Sequence, residues 1–344
     1  MGDMSATKED TARIPGSPGL PAPDAVTLDS YRRELTGFCY RMLGSAADAE
    51  DAVQEVMLRA WRAAGDFEGR SSLRSWLYRI ASNVCLDQLR GRGRRASPAG
   101  IGTPSAPHGD LLGPALPEHA WVLPAPDARV LPDSGDPADL AVARETIRLA
   151  FVTALQYLPP RQRAVLVLSQ VLRFEAAEIA GQLDTTVPAV NSALQRARAT
   201  LAGLPADARP VQPAASQARL LDQYVEAFER YDIDAFVRLL HADVVQSMPP
   251  YAMWLRGAQD VGAWMRGPGA RCRGSRLVLV AANGGPAFGQ YRPDPGGGYA
   301  AFSLHVPQIS AGRIVELNYF LDTAAVFPLF GLPPRLSGHD GVRD

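Results

Sequence analysis

Cysteine is scarce in this chain of 344 residues, which contains only Cys39, Cys85 and Cys272. The three thiols are widely spaced, and no pair of them has the spacing of a metal site. Cys39 and Cys85 fall within helical patterns, where a free thiol is ordinarily buried. We therefore expect neither a metal site nor redox chemistry at these positions.

Long apolar runs are also absent. No stretch approaches the ~18 consecutive apolar residues of a membrane-spanning helix, and the start of the chain lacks the apolar core of a signal peptide. The sequence therefore predicts a cytoplasmic protein with no membrane partner. It also contains no phosphate-binding loop, no histidine–cysteine constellation and no nucleophile elbow. We expect a binding protein with no catalytic residues, no metal and no cofactor.

Lysine is the scarcest charged residue: Lys8 is the only one, so arginine carries nearly all of the positive charge. The formal net charge of −1 excludes a uniformly basic protein of the kind that coats nucleic acid. The charge is nevertheless uneven along the chain. Residues 67–95 hold seven arginines against Glu68 and Asp87, a local excess of about +5 that suits phosphate binding.

Three amphipathic helices are predicted before and within this arginine-rich stretch. The first spans Leu28–Leu43 and ends at Gly44. Ser45 and Asp48 resemble a capping box that begins the second. The apolar stripe of the second helix is Val53, Val56, Met57, Ala60, Trp61 and Ala64. The expected buried stripe of the third helix is Leu73, Trp76, Leu77, Ile80 and Val84.

The segments DAEDAVQEVMLRAWRA and FEGRSSLRSWLYRIASNVCLD resemble region 2 of bacterial sigma-70 family initiation factors, specifically the extracytoplasmic function group. The resemblance implies that the charged face of the second helix binds the clamp of core RNA polymerase. The residues of this face are Glu50, Asp51, Gln54, Glu55 and Arg59. It also implies that the third helix captures unpaired −10 bases, which can stack and hydrogen-bond on a preset surface. The expected −10 residues are Arg74, Tyr78, Arg79, Asn83 and Arg90.

Residues 96–139 are rich in proline, glycine, alanine and serine, so we expect a linker that buries no core. In the resembled family this linker passes through the polymerase interior. Helical periodicity returns over residues 140–204. Within that range Phe174–Ala202 has the sequence pattern of a helix-turn-helix. Gly181 lies near the turn, and Pro188 lies in the first turn of the second helix, where proline is tolerated.

This helix-turn-helix, together with LPPRQRAVLVL before it, resembles sigma region 4, which reads the −35 promoter element and binds the polymerase flap. Arg173 and Phe174 depart from the Gly-Trp that relatives often carry there. The second helix is expected to enter the major groove. The expected −35 residues are Thr186, Val187, Asn191, Ser192, Gln195, Arg196 and Arg198.

From Ser216 onward the pattern changes to two helices followed by strand-like stretches between glycine and proline turns. YVEAFERYDIDAFVRLLHADVVQSMPPYAMWLRG, NGGPAFGQYRPD and GRIVELNYFLD resemble the SnoaL-like cone fold. Alternate residues of the last strand share one face and can line a pocket. The possible pocket residues are Tyr251, Trp254, Tyr291, Phe302, Glu316, Asn318 and Asp322.

The sequence thus predicts a multidomain chain with two all-α sigma domains, a helical bundle and a helix-turn-helix, followed by an α+β SnoaL-like cone domain. The expected boundaries are a disordered arm at 1–24, region 2 at 25–95, a linker at 96–139, region 4 at 140–204, a linker at 205–215, the cone at 216–327 and a tail at 328–344. The implied partners are core RNA polymerase, promoter DNA and an unknown small ligand of the cone.

Three functions remain open at this point. An alternative sigma factor with a fused regulatory domain would co-purify with core polymerase. A stand-alone helix-turn-helix repressor would lack the charged clamp-binding helix, which is present. An enzyme that uses the cone would need an acid–base pair that the sequence does not reveal. The apolar tail FPLFGLPPRL needs a partner surface, so we expect the cone and tail to pack on the sigma domains and to set their relative placement.

Overall fold

The computed structural model describes residues 23–67, 69, 71–100, 102–108, 112–133, 136–203 and 217–337. The arm expected at 1–24 lies outside these ranges except for its last two residues. The linker expected at 205–215 and the end of the tail also lie outside them.

The described residues form two helical bundles followed by a domain of helices and one sheet, which confirms the predicted fold class. The helices are α1 Ala25–Ser30, α2 Arg32–Leu43, α3 Ala46–Arg62, α4 Leu73–Leu89, α5 Asp127–Val130, α6 Pro137–Thr146, α7 Leu149–Leu155, α8 Pro160–Leu166, α9 Ala176–Gln182, α10 Val187–Ala202, α11 Gln217–Glu229, α12 Ile233–Leu239, α13 Ala258–Arg266 and α14 Thr323–Val326. The strands are β1 Leu240–Ser247, β2 Trp254–Arg256, β3 Arg276–Ala282, β4 Gly285–Pro293, β5 Tyr299–Ser310, β6 Arg313–Phe320 and β7 Arg335–Leu336.

The N-terminal bundle consists of α1–α4, and local sequence accounts for its turns. The helix predicted over Leu28–Leu43 is interrupted at Tyr31, which separates α1 from α2. Gly44 ends α2 in the left-handed region at φ 73°, where a residue without Cβ has no steric penalty. Ser45 then begins α3, because its side chain accepts a hydrogen bond from the Asp48 amide.

The buried faces of α3 and α4 differ from the predicted stripes. Trp61 belongs to the predicted apolar stripe of α3, yet it is 67% exposed. On α4, Trp76 and Ile80 are only half-buried, whereas Tyr78, predicted to face outward, is fully buried. The second bundle packs on α4 and covers Tyr78, and helical periodicity within α4 does not reveal such a neighbour.

Residues 120–131 fold against the N-terminal bundle, which corrects the expectation of a linker without a core. Ala96 and Trp121 form a parallel bridge, and Trp121 is 1% exposed. The Arg95 guanidinium donates to the Trp121 carbonyl oxygen at 2.7 Å and pairs with Asp48 at 2.7 Å. The Asp48 carboxylate is therefore held by arginine, and only the Ser45 half of the predicted capping box is formed.

Replacing Trp121 with alanine is expected to lower the free energy of unfolding by about 3–5 kcal/mol, the usual cost of removing a buried large aromatic side chain. Chemical denaturation followed by far-ultraviolet circular dichroism measures this change. Trp61→Ala is the matched control, because Trp61 is exposed and its loss should leave stability nearly unchanged. Equal stability of the Trp121→Ala and wild-type proteins would mean that this segment is a linker after all.

The C-terminal bundle consists of α6–α10, and α9 and α10 form the predicted helix-turn-helix. Gly181 is the next-to-last residue of α9 and thus lies near the turn, as expected. Asp184 takes the left-handed conformation there, at φ 47°, a region that aspartate tolerates better than most residues. Thr186 caps α10 by accepting from the Ala189 amide, and Pro188 lies in the first helical turn as expected.

The cone domain consists of α11–α14 and one sheet of strand order β2-β1-β6-β5-β4-β3, with β7 added beside β5. β1 and β6 are parallel, and the other pairs are antiparallel. Tyr224, Phe228 and Phe236 form part of the core inside the cone. Leu304 and Phe320, on the outer face of the sheet, belong instead to the apolar cluster that includes both bundles.

The apolar tail packs on this outer face of the cone. Phe327 is buried and meets the Tyr291 ring edge-on, with 5.4 Å between ring centroids. Leu332 lies over Gly289, where a Cβ would approach the Leu332 Cδ1 atom to 2.6 Å. Leu336, in β7, pairs with the first residue of β5. The sheet therefore provides the partner surface that the apolar tail was expected to need.

Candidate nucleic-acid interface and cone cavity

The C-terminal bundle covers part of the α4 face that is predicted to bind −10 bases. Arg74 hydrogen-bonds Glu34 at 2.7 Å, and its guanidinium lies 4.5 Å from the centroid of the Phe174 ring. Arg79 forms an exposed ion pair with Asp184 of the helix-turn-helix, at 3.4 Å. Two of the predicted −10 residues are thus engaged by the bundle that would read the −35 element.

Tyr78 is the clearest correction to the predicted −10 set. Its ring is fully buried between Phe38 and Phe174, with 5.2 Å between ring centroids on each side. Burial raises the pKa of the Tyr78 hydroxyl well above its ordinary value, because the charged form would be desolvated. Asn83 and Arg90, in the C-terminal half and at the end of α4, remain exposed.

The predicted polymerase face of α3 is partly occupied by ion pairs within the chain. Glu55 and Arg59 pair with each other at 2.7 Å. Glu50 pairs with Arg129 of α5 and is half-buried. These contacts leave the face accessible, since ion pairs at a surface contribute little to stability and exchange readily for other partners.

Two apolar residues lie on the same face, although the sequence placed Trp61 in the buried stripe and gave Leu58 no role. Leu58 is 47% exposed and Trp61 is 67% exposed. They follow the exposed residues Asp51 and Gln54 at helical spacing, so all four share one side of α3. An exposed tryptophan beside charged residues is typical of a protein-binding surface. No sequence signal distinguished Trp61 from the buried stripe of the helix.

The outward face of α10 is open to solvent. Val190 and Ala197 are buried against the rest of the bundle. All seven residues predicted to approach the −35 element are exposed, namely Thr186, Val187, Asn191, Ser192, Gln195, Arg196 and Arg198. The two predicted DNA-binding faces therefore differ, because the α10 face is open whereas the α4 face is partly covered.

Asn283, at the tip of the β3–β4 hairpin, joins the three domains. Its amide nitrogen donates to the Tyr40 hydroxyl at 2.6 Å and to the Ile147 carbonyl oxygen at 2.7 Å. Its side-chain oxygen accepts from the Ala125 amide at 3.1 Å. These partners belong to α2, to the segment before α7 and to the interdomain segment, and Asn283 is 2% exposed. We name this residue with its three partners the hairpin hub.

The conformation of the hairpin follows from its Asn-Gly dipeptide. Asn283 and Gly284 both take positive φ, 54° and 78°, which asparagine and glycine tolerate and which suits a two-residue hairpin. The Gly284 amide donates to the Asp127 carboxylate at 2.7 Å. Burial raises the pKa of that carboxyl, and the hydrogen bond from Gly284 opposes the rise. The dipeptide signals the turn, but no sequence signal identifies its distant partners.

The cone encloses a cavity of about 470 Å³. Among the predicted pocket residues, Tyr251 and Phe302 line it. Further walls come from Phe228, Met248, Trp264, Met265 and Leu321. A cavity of this size and mainly apolar character is of the kind that accepts small organic ligands.

The other predicted pocket residues lie outside the described lining, which corrects the assignment. The face of β6 that carries Tyr319 lines the cavity, whereas Glu316 and Asn318 alternate to the opposite face. The remaining predicted residues are placed by other contacts. Tyr291 packs on Phe327, Trp254 donates its indole N–H to Gly102, and Asp322 caps α14.

His305 lies at the centre of a polar network inside the cone. The Tyr224 hydroxyl is 2.8 Å from Nδ1, and Gln290 Oε1 is 3.0 Å from Nε2. Because an amide oxygen only accepts, Nε2 carries the proton and Nδ1 accepts from Tyr224. Burial lowers the pKa of His305 to about 3, so the imidazole is neutral at physiological pH. It cannot act there as a cationic acid.

Comparison with known proteins gives the family. Family models match residues 27–95 as Sigma-70 region 2, residues 148–201 as Sigma-70 region 4 and residues 221–317 as a SnoaL-like domain. The ECF RNA polymerase sigma factor SigG of Mycobacterium tuberculosis is 45% identical over 340 residues, which cover 97% of this chain and 90% of that protein. The chain belongs to the extracytoplasmic function sigma factors. The family predicted from its sequence motifs is thereby confirmed.

Two further comparisons concern SigJ of the same organism. SigJ is 32% identical over 217 residues, which cover 63% of this sigma factor and 62% of SigJ. Its crystal structure superposes with a TM-score of 0.61 at 25% identity and covers 90% of this chain and 100% of that chain. In the described part of this sigma factor, no group of three or more metal-ligating side chains occurs, and no helix is long and apolar enough to cross a membrane.

Proposed function

We propose that this sigma factor binds the clamp of core RNA polymerase through the exposed face of α3 and the flap through its C-terminal bundle. Region 4 would read the −35 element with α10, and region 2 would capture −10 bases with α4. The observation that carries this proposal is the open, polar face of α10, opposite its buried residues Val190 and Ala197. Run-off transcription by core polymerase with the full chain tests it directly.

We further propose that the cone domain modulates this activity by holding regions 2 and 4 together. Arg74 and Arg79 cannot meet DNA bases while Phe174 and Asp184 engage them. Initiation would therefore require α4 and the C-terminal bundle to separate. The hairpin hub opposes separation, since Asn283 bonds to both sides of the joint. The placement of the cone would thus set the fraction of molecules that can engage both promoter elements.

Alanine substitution at Gln195 or Arg196 is expected to relax sequence preference at individual −35 positions, because a base contact is worth roughly 1–3 kcal/mol of discrimination. Alanine at Arg198 should instead weaken binding to all sequences and flatten its salt dependence, as loss of a phosphate contact does. Binding to a library of −35 variants at several salt concentrations separates the two effects. A uniform loss for all three variants would remove the proposed base readout.

A further inference from the structure

The cavity of the cone has a composition that points to the charge of its ligand. Two arginines, Arg271 and Arg292, belong to its lining, and no aspartate or glutamate is found among the described lining residues. We propose that the cavity binds an organic acid with an aromatic or aliphatic body, and that this ligand rests against the segment between regions 2 and 4. The binding of this acid does not depend on the proposed function; only the effect of the acid on transcription does.

The cations are placed to receive a carboxylate. Arg271 is exposed, which puts it at the rim of the cavity. Arg292 is half-buried on β4, and its guanidinium lies 4.5 Å from the centroid of the Phe302 ring. A guanidinium that lies over an aromatic ring can still use its N–H edge to bind a carboxylate through two hydrogen bonds. An amine ligand would meet two like charges at this position.

The polar groups of the interior contact one another. The Tyr319 hydroxyl is buried and interacts with the Tyr224 hydroxyl, which in turn bonds His305 Nδ1 at 2.8 Å. His305 and Gln290, which also line the cavity, are committed to each other. The ligand body should therefore be mainly apolar, with its charged group at the two arginines.

Leu112, in the segment between regions 2 and 4, lies against the cavity. Leu112 contributes to the lining. On one side of it, the Ser105 amide donates to the Trp254 carbonyl oxygen at 2.8 Å. On the other side, the Leu116 amide donates to the Pro250 carbonyl oxygen at 2.9 Å. Described residues on both sides of Leu112 are thus attached to the cone, and Leu112 covers part of the cavity.

A ligand that contacts Leu112 binds the covered arrangement better than one in which the segment has left the cone. At saturation, the ligand therefore raises the equilibrium constant for the covered arrangement. The factor equals the ratio of its affinities for the covered and the uncovered arrangement. Since the covered arrangement also keeps regions 2 and 4 on the hairpin hub, the acid would act as an inhibitor of initiation.

The binding test uses naphthalene-2-carboxylate and its neutral isostere naphthalene-2-carboxamide, titrated calorimetrically into the full chain. The carboxylate should bind about tenfold more tightly, as a charge-assisted contact implies. Arg271→Gln with Arg292→Gln should remove this preference, whereas Arg230→Gln, at an exposed arginine directly after α11 and outside the lining, should preserve it. Equal affinity of the two probes, or no binding at millimolar concentration, would overturn the proposal.

The coupling test uses Leu112→Ala, which should weaken both probes about threefold or more without changing the preference for carboxylate. In run-off transcription, naphthalene-2-carboxylate should inhibit the wild type more than it inhibits Leu112→Ala. Equal inhibition of both proteins would refute the coupling through Leu112. If the wild-type protein fails to support transcription without any probe, the proposed function is refuted instead. The calorimetric result on ligand binding would still hold in that case.

Discussion

Replacing Asn283 with glycine is expected to raise promoter-specific transcription severalfold. The substitution removes three side-chain hydrogen bonds to α2, the interdomain segment and the segment before α7. Losing them should weaken the closed arrangement by about 2–4 kcal/mol, because buried partners are left unpaired. Glycine tolerates the positive φ of this position, so the hairpin itself should persist. Run-off transcription and small-angle scattering of the free protein measure activity and opening together.

Ala311→Gly is the matched control for this variant. Ala311 and Gly312 form the β5–β6 turn with φ angles of 47° and 72°, close to those of the β3–β4 turn. Ala311 is exposed, so the control changes a hairpin of similar conformation that does not join the domains. Transcription by this variant should match wild type. If Asn283→Gly also matches wild type in activity and scattering, the hairpin hub does not restrain the factor.

Replacing Trp61 with alanine is expected to weaken the affinity for core polymerase at least tenfold. Exposed tryptophans at protein interfaces commonly contribute 2 kcal/mol or more when they become buried on binding. The free protein should keep its stability, since the Trp61 side chain is mostly in solvent. Titration of labelled sigma factor with core polymerase measures the affinity.

Leu279→Ala provides the comparison for Trp61→Ala, because Leu279 of β3 is equally exposed, at 67%. It lies on the cone domain, outside the proposed polymerase face, and its loss should not change core affinity. Charge reversal at Asp51 and Glu55 should weaken binding as Trp61→Ala does, since these residues flank the same face of α3. Unchanged affinity in Trp61→Ala would restrict the polymerase face to its charged residues.

These expectations share one physical requirement. In the proposed function, the face of α4 with Arg74 and Arg79 would have to become accessible before it could hold unpaired bases. Part of the binding energy for polymerase and promoter would therefore be used to separate the bundles. Weakening the hairpin hub reduces that cost, whereas weakening the α3 face reduces the energy available. The two variants should therefore shift transcription in opposite directions.

Local sequence determined the elements of this protein that depend on near neighbours in the chain. Gly44 ends α2, Thr186 caps α10, and Asn283-Gly284 makes a hairpin, because each conformation is set within a few residues. The exposed face of α10 also followed from helical periodicity alone. The motifs of regions 2 and 4 were sufficient to identify the family, since they are continuous in sequence.

Only the tertiary structure decided which of these surfaces are covered. Tyr78 is buried although it was expected to face outward, and Trp61 is exposed although it was expected to be buried. Burial depends on which distant element packs against a helix and not on the helix itself. Trp121 is buried within a segment whose composition predicts a linker, since a few well-placed apolar side chains suffice when a formed bundle supplies the other surface. The hairpin hub and the covered cavity likewise join residues more than a hundred positions apart, and periodicity within one segment carries no information about such contacts.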